Sequence, residues 1–180
     1  MSLQPWYYFL SIERDFIRTL DFVEFNADNE ATYSNEFAKL LLLIGSEVDV
    51  VAKMLCKRAD ASATPNNINE YRSVITARYS NLYTFAIQIP RFNYSTKPWE
   101  SWGAPTPESP VWWKSYNKVK HQRDEHFAEA NFKNVTDALC GLLSLLLYFY
   151  RSESHLQPYP ELLNGGFPQS IVTSGTLQLP

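Results

Sequence analysis

The sequence predicts an all-α protein, an antiparallel bundle of about five helices with a long loop rich in proline and tryptophan and an irregular C-terminal tail. Apolar residues recur at steps of three and four in four segments, a fifth segment is apolar on almost every side, and no segment alternates like a strand over more than a few positions. The chain has 180 residues, 45% of them hydrophobic, which suffices for one domain with its own core. We place the core at about residues 6–152 and the tail at 153–180.

The first three helices are predicted from their apolar periodicity. The first runs from Trp6 to Phe25. The second begins after Ser34, whose hydroxyl suits an N-cap, and continues to about Arg58. The third runs from Ile68 to Ile89 and stops before Pro90, because proline ends a helix. All three should bury one face.

A long loop, Pro90 to Pro110, separates these helices from the last two. It contains five prolines and two tryptophans, and a loop of this length is either functional or anchored to the core by its aromatic rings. Ser109 and Pro110 suit the cap and first turn of a fourth helix, which begins at Val111 and ends near His126.

The final helix, from about Asn131 to Ser152, is the most apolar part of the chain. It should be enclosed by other helices or by a second copy of the chain. Because it is apolar on more faces than four amphipathic neighbours easily cover, it predicts a homodimer. From His155 onwards prolines and glycines indicate an irregular tail, in which Ser170 to Val172 is the longest strand-like run.

Charge and cysteine usage exclude several classes of protein. Sixteen Lys and Arg stand against nineteen Asp and Glu, a formal charge of −3, so any site for nucleic acid must be local. Cys56 and Cys140 lie in apolar helical patterns, which indicates reduced, buried thiols in a cytoplasmic protein. The longest mostly apolar run, Ala138 to Tyr150, is too short to cross a membrane, so we expect no membrane partner.

One segment, Val111 to Arg123, combines basic and aromatic residues. It holds four cations and no acid, interleaved with three aromatic rings. A phosphate backbone or a stacked base requires this combination, although a solvated lysine face over buried tryptophans would look the same. The residues concerned are Trp112, Trp113, Lys114, Tyr116, Lys118, Lys120 and Arg123.

Helical geometry places Arg123 on the apolar stripe of the fourth helix, together with Tyr116. A charge there is costly unless it is paired, so we expect Arg123 either to bridge to a carboxylate such as Glu47 or Asp49, or to lie at a site. The same carboxylates could serve as partners of His121.

Asn117 and His121 are one turn apart on a neighbouring face, which Trp113 shares. Together they could hold a phosphate or a 2′-hydroxyl while the imidazole moves the proton. Most such pairs are instead surface residues or helix-packing hydrogen bonds. We expect His121 to be exposed in a positively lined groove.

Other chemistries fit this segment less well. His121 and His126 are five residues apart, about 140° around a continuous helix, so they cannot hold one metal without a break. Glu125 and Glu129 could complete a metal site only after such a break. No glycine-rich phosphate loop, nucleophile elbow or dinucleotide fingerprint is present. We therefore expect neither a metal nor a cofactor.

The run from Trp113 to Arg123, WKSYNKVKHQR, followed by a leucine-rich last helix, resembles the HEPN superfamily of bacterial helical domains. It looks closest to uncharacterised members with a Trp…Tyr-Asn-x-x-Lys-His-x-Arg signature, and the similarity extends from about Phe37 to Tyr150. The resemblance implies antiparallel helices and a two-fold homodimer. Many members are metal-independent ribonucleases of toxin, abortive-infection and CRISPR systems, so an antitoxin partner is also an expectation.

The active motif of that superfamily is an arginine, a polar residue, a few spacers and a histidine. The resemblance assigns the polar residue to Asn117 and the histidine to His121, whereas Tyr116 stands at the arginine position. Arg123 would then supply the missing charge with Lys120, His121 would act as base or acid, and Asn117 would orient the sugar. We assign substrate contacts to Trp113, Tyr116, Lys118 and Lys120, and supporting roles to Glu47, Asp49 and His126.

Two functional hypotheses remain open from the sequence. In the first, the chain is a HEPN-like protein that cleaves RNA or binds RNA or a nucleotide. In the second, it is a non-catalytic helical protein in which the segment from Trp113 to Arg123 packs the long loop and a dimer face. Whether Asn117, His121 and Arg123 converge on one open cleft distinguishes the two.

Overall fold

A computed structural model describes residues 2–153 and 156–165 of the chain. Five α-helices confirm the predicted all-α class, and a small antiparallel hairpin joins them. The helices are α1 (Gln4–Thr19), α2 (Asn35–Ala59), α3 (Ile68–Arg78), α4 (Val111–His126) and α5 (Phe132–Phe149), and the strands are β1 (Ile87–Ile89) and β2 (Tyr94–Thr96).

α5 is the central element of the bundle. Its leucine-rich sequence is apolar on almost every side, and neighbours within this one chain bury all of its residues except the paired Lys133 and Asp137. The apolar surplus of α5 therefore has an intramolecular explanation, and it no longer argues for a dimer face at this helix. The side chain of Asn131 caps the helix by accepting a hydrogen bond from the Asn134 amide at 3.0 Å.

The bundle is not antiparallel throughout, because α2 and α5 run in the same direction. Phe37 near the start of α2 packs on Phe132 at the start of α5, with ring centres 5.6 Å apart. At the other ends, the Arg58 guanidinium lies 5.6 Å from the centre of the Phe149 ring. α1 and α4 run antiparallel to α5, so the predicted arrangement holds for these two helices.

The prediction of a third helix as far as Ile89 is wrong. α3 ends at Arg78, a short 3-10 helix covers Leu82–Thr84, and Ile87–Ile89 forms β1. In β1 Ile87 and Ile89 point to the core and Gln88 faces outwards. In a run of three residues, apolar side chains at every second position fit both a strand and the last turn of an amphipathic helix, so the sequence pattern cannot distinguish the two. The backbone pairing with Tyr94–Thr96 shows that the segment is a strand.

The Pro90–Pro110 segment is anchored by its tryptophans. It is not one irregular loop, because it contains β2 and the short 3-10 helices Pro90–Phe92 and Glu100–Gly103. The indole of Trp99 is fully buried and donates to the Ser144 hydroxyl at 2.8 Å and to the Gly141 carbonyl at 3.1 Å. The aromatic-anchor interpretation is thus confirmed. Ser109 does not cap α4, whose N-cap residue is Pro110.

The described part of the tail, residues 156–165, is tied to the fold at three places. The Trp6 indole donates to the Pro158 carbonyl at 2.9 Å, the Glu13 carboxylate accepts the amides of residues 161, 162 and 163, and Asn164 pairs with Gln88 of β1. We call residues 156–165 the C-terminal strap. The strand-like run at Ser170–Val172 lies outside the described residues.

Candidate functional site

The first half of α4 is a structural element of the core. Trp112, Trp113 and Tyr116 are at most 8% exposed, and consecutive ring centres along α4 are 5.9 and 5.1 Å apart. Trp112 also meets Trp99 edge to face and donates to the Pro98 carbonyl at 2.9 Å. The rings predicted to contact a substrate therefore have little open surface for stacking on a base.

The second half of α4 is mostly exposed, and the helix is broken there at Gln122. That residue has φ −144° and ψ 54°, outside the helical region. The break turns the following residues away from the apolar stripe, so Arg123 is exposed rather than buried. The expectation that Arg123 interrupts a buried face is wrong, since it assumed a continuous helix.

The predicted bridge from Glu47 or Asp49 to Arg123 is also wrong. Asp49 accepts a hydrogen bond from the Tyr71 hydroxyl at 2.7 Å and pairs with Lys53, so it ties α2 to α3. Glu47 is half-buried on α2, and burial raises the pKa of its carboxyl above the usual range. No ion pair joins either carboxylate to Arg123 or His121 in residues 2–153 and 156–165.

No hydrogen bond or ion pair joins Asn117, His121 and Arg123 to one another in the described structure. The Asn117 amide donates to the Trp113 carbonyl one turn earlier, at 2.8 Å. The Lys120 ammonium lies 5.5 Å from the centre of the Tyr116 ring, a cation–π contact. His121 is exposed, as expected, and forms no hydrogen bond with the described part of the protein. His121 and Lys120 are therefore neighbouring residues of α4 that both face solvent.

Glu129 holds the start of α5 against α4. Its carboxylate accepts from the Ser115 hydroxyl at 2.7 Å and from the Lys118 ammonium at 2.5 Å. Asn134 completes the link, because its amide donates to the Ser115 hydroxyl and to the Glu129 carbonyl at 3.1 and 2.9 Å. The hydrogen bonds from Lys118 and Ser115 lower the pKa of Glu129, and the charge of His126 acts in the same direction.

The sequence patterns do not predict this Glu129 network. They suggest Glu129 only as a metal ligand and Lys118 only as a substrate contact. A signal was available in Ser115, which lies three residues after Trp112 and four before Val119, on the apolar stripe. A polar side chain at such a position needs a buried partner.

The charge of the candidate surface is smaller than the sequence suggests. Lys114 pairs with Glu108 and Lys118 with Glu129, so two of the four cations are neutralised by carboxylates. Lys120 and Arg123 form no ion pair within the described ranges. The α4 cations without an ion pair in the described structure are therefore Lys120 and Arg123, and with the exposed His121 we call them the α4 exposed face; Asp124 and Glu125 beside them are exposed acids that form no ion pair there either.

No group of three or more His, Cys, Asp or Glu in the described structure is arranged to hold a metal ion. Both cysteines are buried, and burial raises the pKa of Cys56 to about 11 and that of Cys140 as well, so neither thiol is set up as a nucleophile. The α4 exposed face is what remains for chemistry near the motif. Its histidine can exchange a proton, and its two cations can offset a phosphate charge.

No protein-family model, curated protein or solved structure matches the chain. Among the described helices, α5 has the length and composition to cross a membrane, but 89% of it is buried inside the fold, as in a core helix.

Proposed function

We propose that the chain is a HEPN-like protein that binds RNA through the α4 exposed face. The observation that carries the proposal is that Lys120, His121 and Arg123 are exposed and form no ion pair within the described residues. They lie on a helix whose first half is buried in the core. The buried half of α4 fixes the position of this face, and the resemblance of the surrounding run to the HEPN signature supports an RNA ligand.

Cleavage of the bound RNA would follow from the same groups. The ribose 2′-oxygen would attack its own 3′-phosphorus, forming a 2′,3′-cyclic phosphate as the bond to the 5′-oxygen breaks. His121 would take the 2′-proton while water protonates the leaving 5′-oxygen, or it would protonate that oxygen while water takes the 2′-proton, and Lys120 and Arg123 would offset the phosphate charge. The amide nitrogen of Asn117 is held by Trp113, so its carbonyl oxygen is the atom left to orient the sugar.

The experiment measures binding and cleavage of labelled single-stranded RNA by the wild type and three variants. We expect Lys120→Gln combined with Arg123→Gln to weaken binding and to reduce the salt slope of log K by about 1.4, the value for two phosphate contacts on a single strand. His121→Ala should lower cleavage by about a hundredfold or more and leave the folding free energy within about 1 kcal/mol of the wild type.

Arg14→Gln is the matched control, because Arg14 is an exposed cation on α1. It should leave RNA binding and cleavage unchanged. Wild-type protein that neither binds nor cleaves assorted RNAs would overturn the proposal. Binding lost equally in the Arg14→Gln control would show that net charge alone attracts the RNA.

The second candidate is a non-catalytic helical protein whose α4 serves packing. The observation in its favour is Tyr116, which stands at the arginine position of the motif and is only 4% exposed. A homodimer remains part of both proposals, with a face other than the enclosed α5. Sedimentation at micromolar concentration tests it, and a clean monomer would contradict it.

A further inference from the structure

Cations collect where the C-terminal ends of three helices meet. α2 ends near Arg58, α3 ends at Arg78, and Arg151 follows α5. Arg78 and Arg151 share one aromatic ring, since their guanidinium carbons lie 5.7 and 5.3 Å from the centre of the Tyr79 ring. The partial negative charge of helix C-termini makes cations stable at this end, and the shared ring brings two of them together.

Neither Arg78 nor Arg151 is neutralised by a carboxylate. Both are exposed, and neither forms an ion pair with a residue in the described ranges. Glu153 is the nearest acid in sequence to Arg151 and pairs with neither arginine. Two exposed guanidiniums without a carboxylate partner in the described ranges leave a local positive charge, which the partial charges of the helix C-termini offset only in part, on a chain whose net charge is −3.

A buried hydroxyl without a partner lies beside these arginines. Tyr148 is 2% exposed, its ring packs edge to face on Tyr79 at 5.5 Å and on Phe85 at 5.6 Å, and its hydroxyl has no hydrogen-bond partner in the described structure. A buried polar group of this kind costs free energy and requires an explanation. Burial raises the pKa of Tyr148 to about 12, while the nearby charge of Arg151 acts in the opposite direction. The phenol is therefore a donor, and Arg151 is close to it.

We propose that Arg78, Arg151 and the Tyr148 hydroxyl form a binding site for a phosphate-bearing anion. The two guanidiniums would contact the phosphate oxygens, and the phenol would donate to one of them. The Tyr148 ring packs on the Tyr79 ring that both arginines share, so a local rearrangement of these side chains would bring the hydroxyl to an anion held by the guanidiniums. The site explains two observations together, the unpaired arginines and the unpartnered phenol.

This site is separate from the α4 exposed face. The latter lies towards the amino end of α5, where Ser115 and Glu129 join α4 to Asn134. The arginine site lies at the other end of the same helix, and an 18-residue helix is about 27 Å long. Inorganic phosphate, a free nucleotide and an RNA backbone all offer the same anion, so the experiment must distinguish among these sources.

Calorimetric titration with pyrophosphate at low salt tests the site. We expect saturable binding by the wild type, about tenfold weaker binding by Arg78→Gln and by Arg151→Gln, and about fivefold weaker binding by Tyr148→Phe. Tyr148→Phe removes a hydroxyl that has no protein partner, so it should not impair folding. Arg14→Gln should bind pyrophosphate like the wild type, because Arg14 is an exposed cation on α1 and belongs to neither proposed site.

A second titration compares a mononucleotide with a short single-stranded RNA. Equal affinities would identify a free phosphate compound as the ligand, and tighter binding of the RNA, weakened by the same arginine variants, would identify a nucleic-acid backbone. Absence of saturable pyrophosphate binding, or equal affinities of the two arginine variants and Arg14→Gln, would overturn the proposal. Unchanged affinity of Tyr148→Phe would overturn the part assigned to the hydroxyl.

Discussion

Gly45 of α2 and Tyr116 of α4 approach each other so closely that no other residue fits at position 45. A Cβ atom at Gly45 would lie 2.3 Å from Cδ2 of the Tyr116 ring. Gly45 is therefore required for close packing of the two helices rather than for a special backbone conformation. Tyr116, at the position where the HEPN motif has an arginine, is committed to this contact.

We predict that Gly45→Ala destabilises the protein by about 1–3 kcal/mol, the usual cost of overpacking a core. Chemical denaturation measures the change. As a control, Gly45→Ala is also measured in a protein that carries Tyr116→Ala, which removes the ring. In that protein Gly45→Ala should be neutral or stabilising, because alanine is more favourable than glycine in a helix by about 1 kcal/mol. Equal destabilisation in both backgrounds would contradict the contact.

Glu129 should make the join between α4 and α5 sensitive to acid. Its pKa is lower in the folded protein than the unfolded value of 4.5, so its stabilisation is present above pH 4.5 and is lost as the pH falls through the folded pKa. We predict that Glu129→Gln costs about 1–2 kcal/mol at pH 7 and that the difference from the wild type shrinks below pH 4.5.

Chemical denaturation of the wild type and of the variant between about pH 3 and about pH 8 measures this difference, because a carboxyl group changes from neutral to charged within that range. Glu125→Gln is the control, since Glu125 is exposed four residues earlier and forms no ion pair in the described structure. A Glu129→Gln deficit that stays constant with pH would show that the carboxylate charge is not what stabilises the join.

Glu13 should hold the C-terminal strap in place. It is 1% exposed and accepts three backbone amides, at 2.9, 3.0 and 2.9 Å. We predict that Glu13→Ala destabilises the protein by about 2 kcal/mol or more, because these amides lose their acceptor. Limited proteolysis should then cut within residues 156–165 faster than in the wild type. In Glu24→Ala, a change of an exposed residue, the cleavage pattern should not change.

The pH dependence at Glu13 has the opposite sign to that at Glu129. Burial raises the pKa of Glu13, so the folded protein binds the proton more tightly than the unfolded chain. Its contribution to stability should rise as the pH falls through the folded pKa and level off below 4.5. Glu13→Gln, which has no proton to gain, should lack this component in a denaturation series. A rise of the same size in the variant would refute the assignment.

Part of the candidate site follows from the sequence and part does not. The exposure of His121 follows from its angular distance from Trp112 and Val119, because helical geometry is local. The position of Arg123 does not, since it depends on the break at Gln122. No residue in Val111–His126 is a helix breaker such as proline or glycine, so nothing in the sequence marks the break.

The sequence by itself determined that the chain forms five helices and that the last of them is enclosed, although it placed the ends of the first and third helices too late, since α1 ends at Thr19 and α3 at Arg78. Periodicity, the caps Ser34 and Asn131, and the all-apolar last helix are properties of neighbouring residues. The tertiary structure decided the end of α3, the hairpin, the partners of Asp49 and Glu129, and the attachment of the strap to Glu13. These depend on contacts between segments far apart in the chain, such as Glu13 and Glu161, which are 148 positions apart. A local sequence pattern does not predict which distant hydrogen-bond donor or strand a residue will contact, because the packing of the whole core brings such groups together.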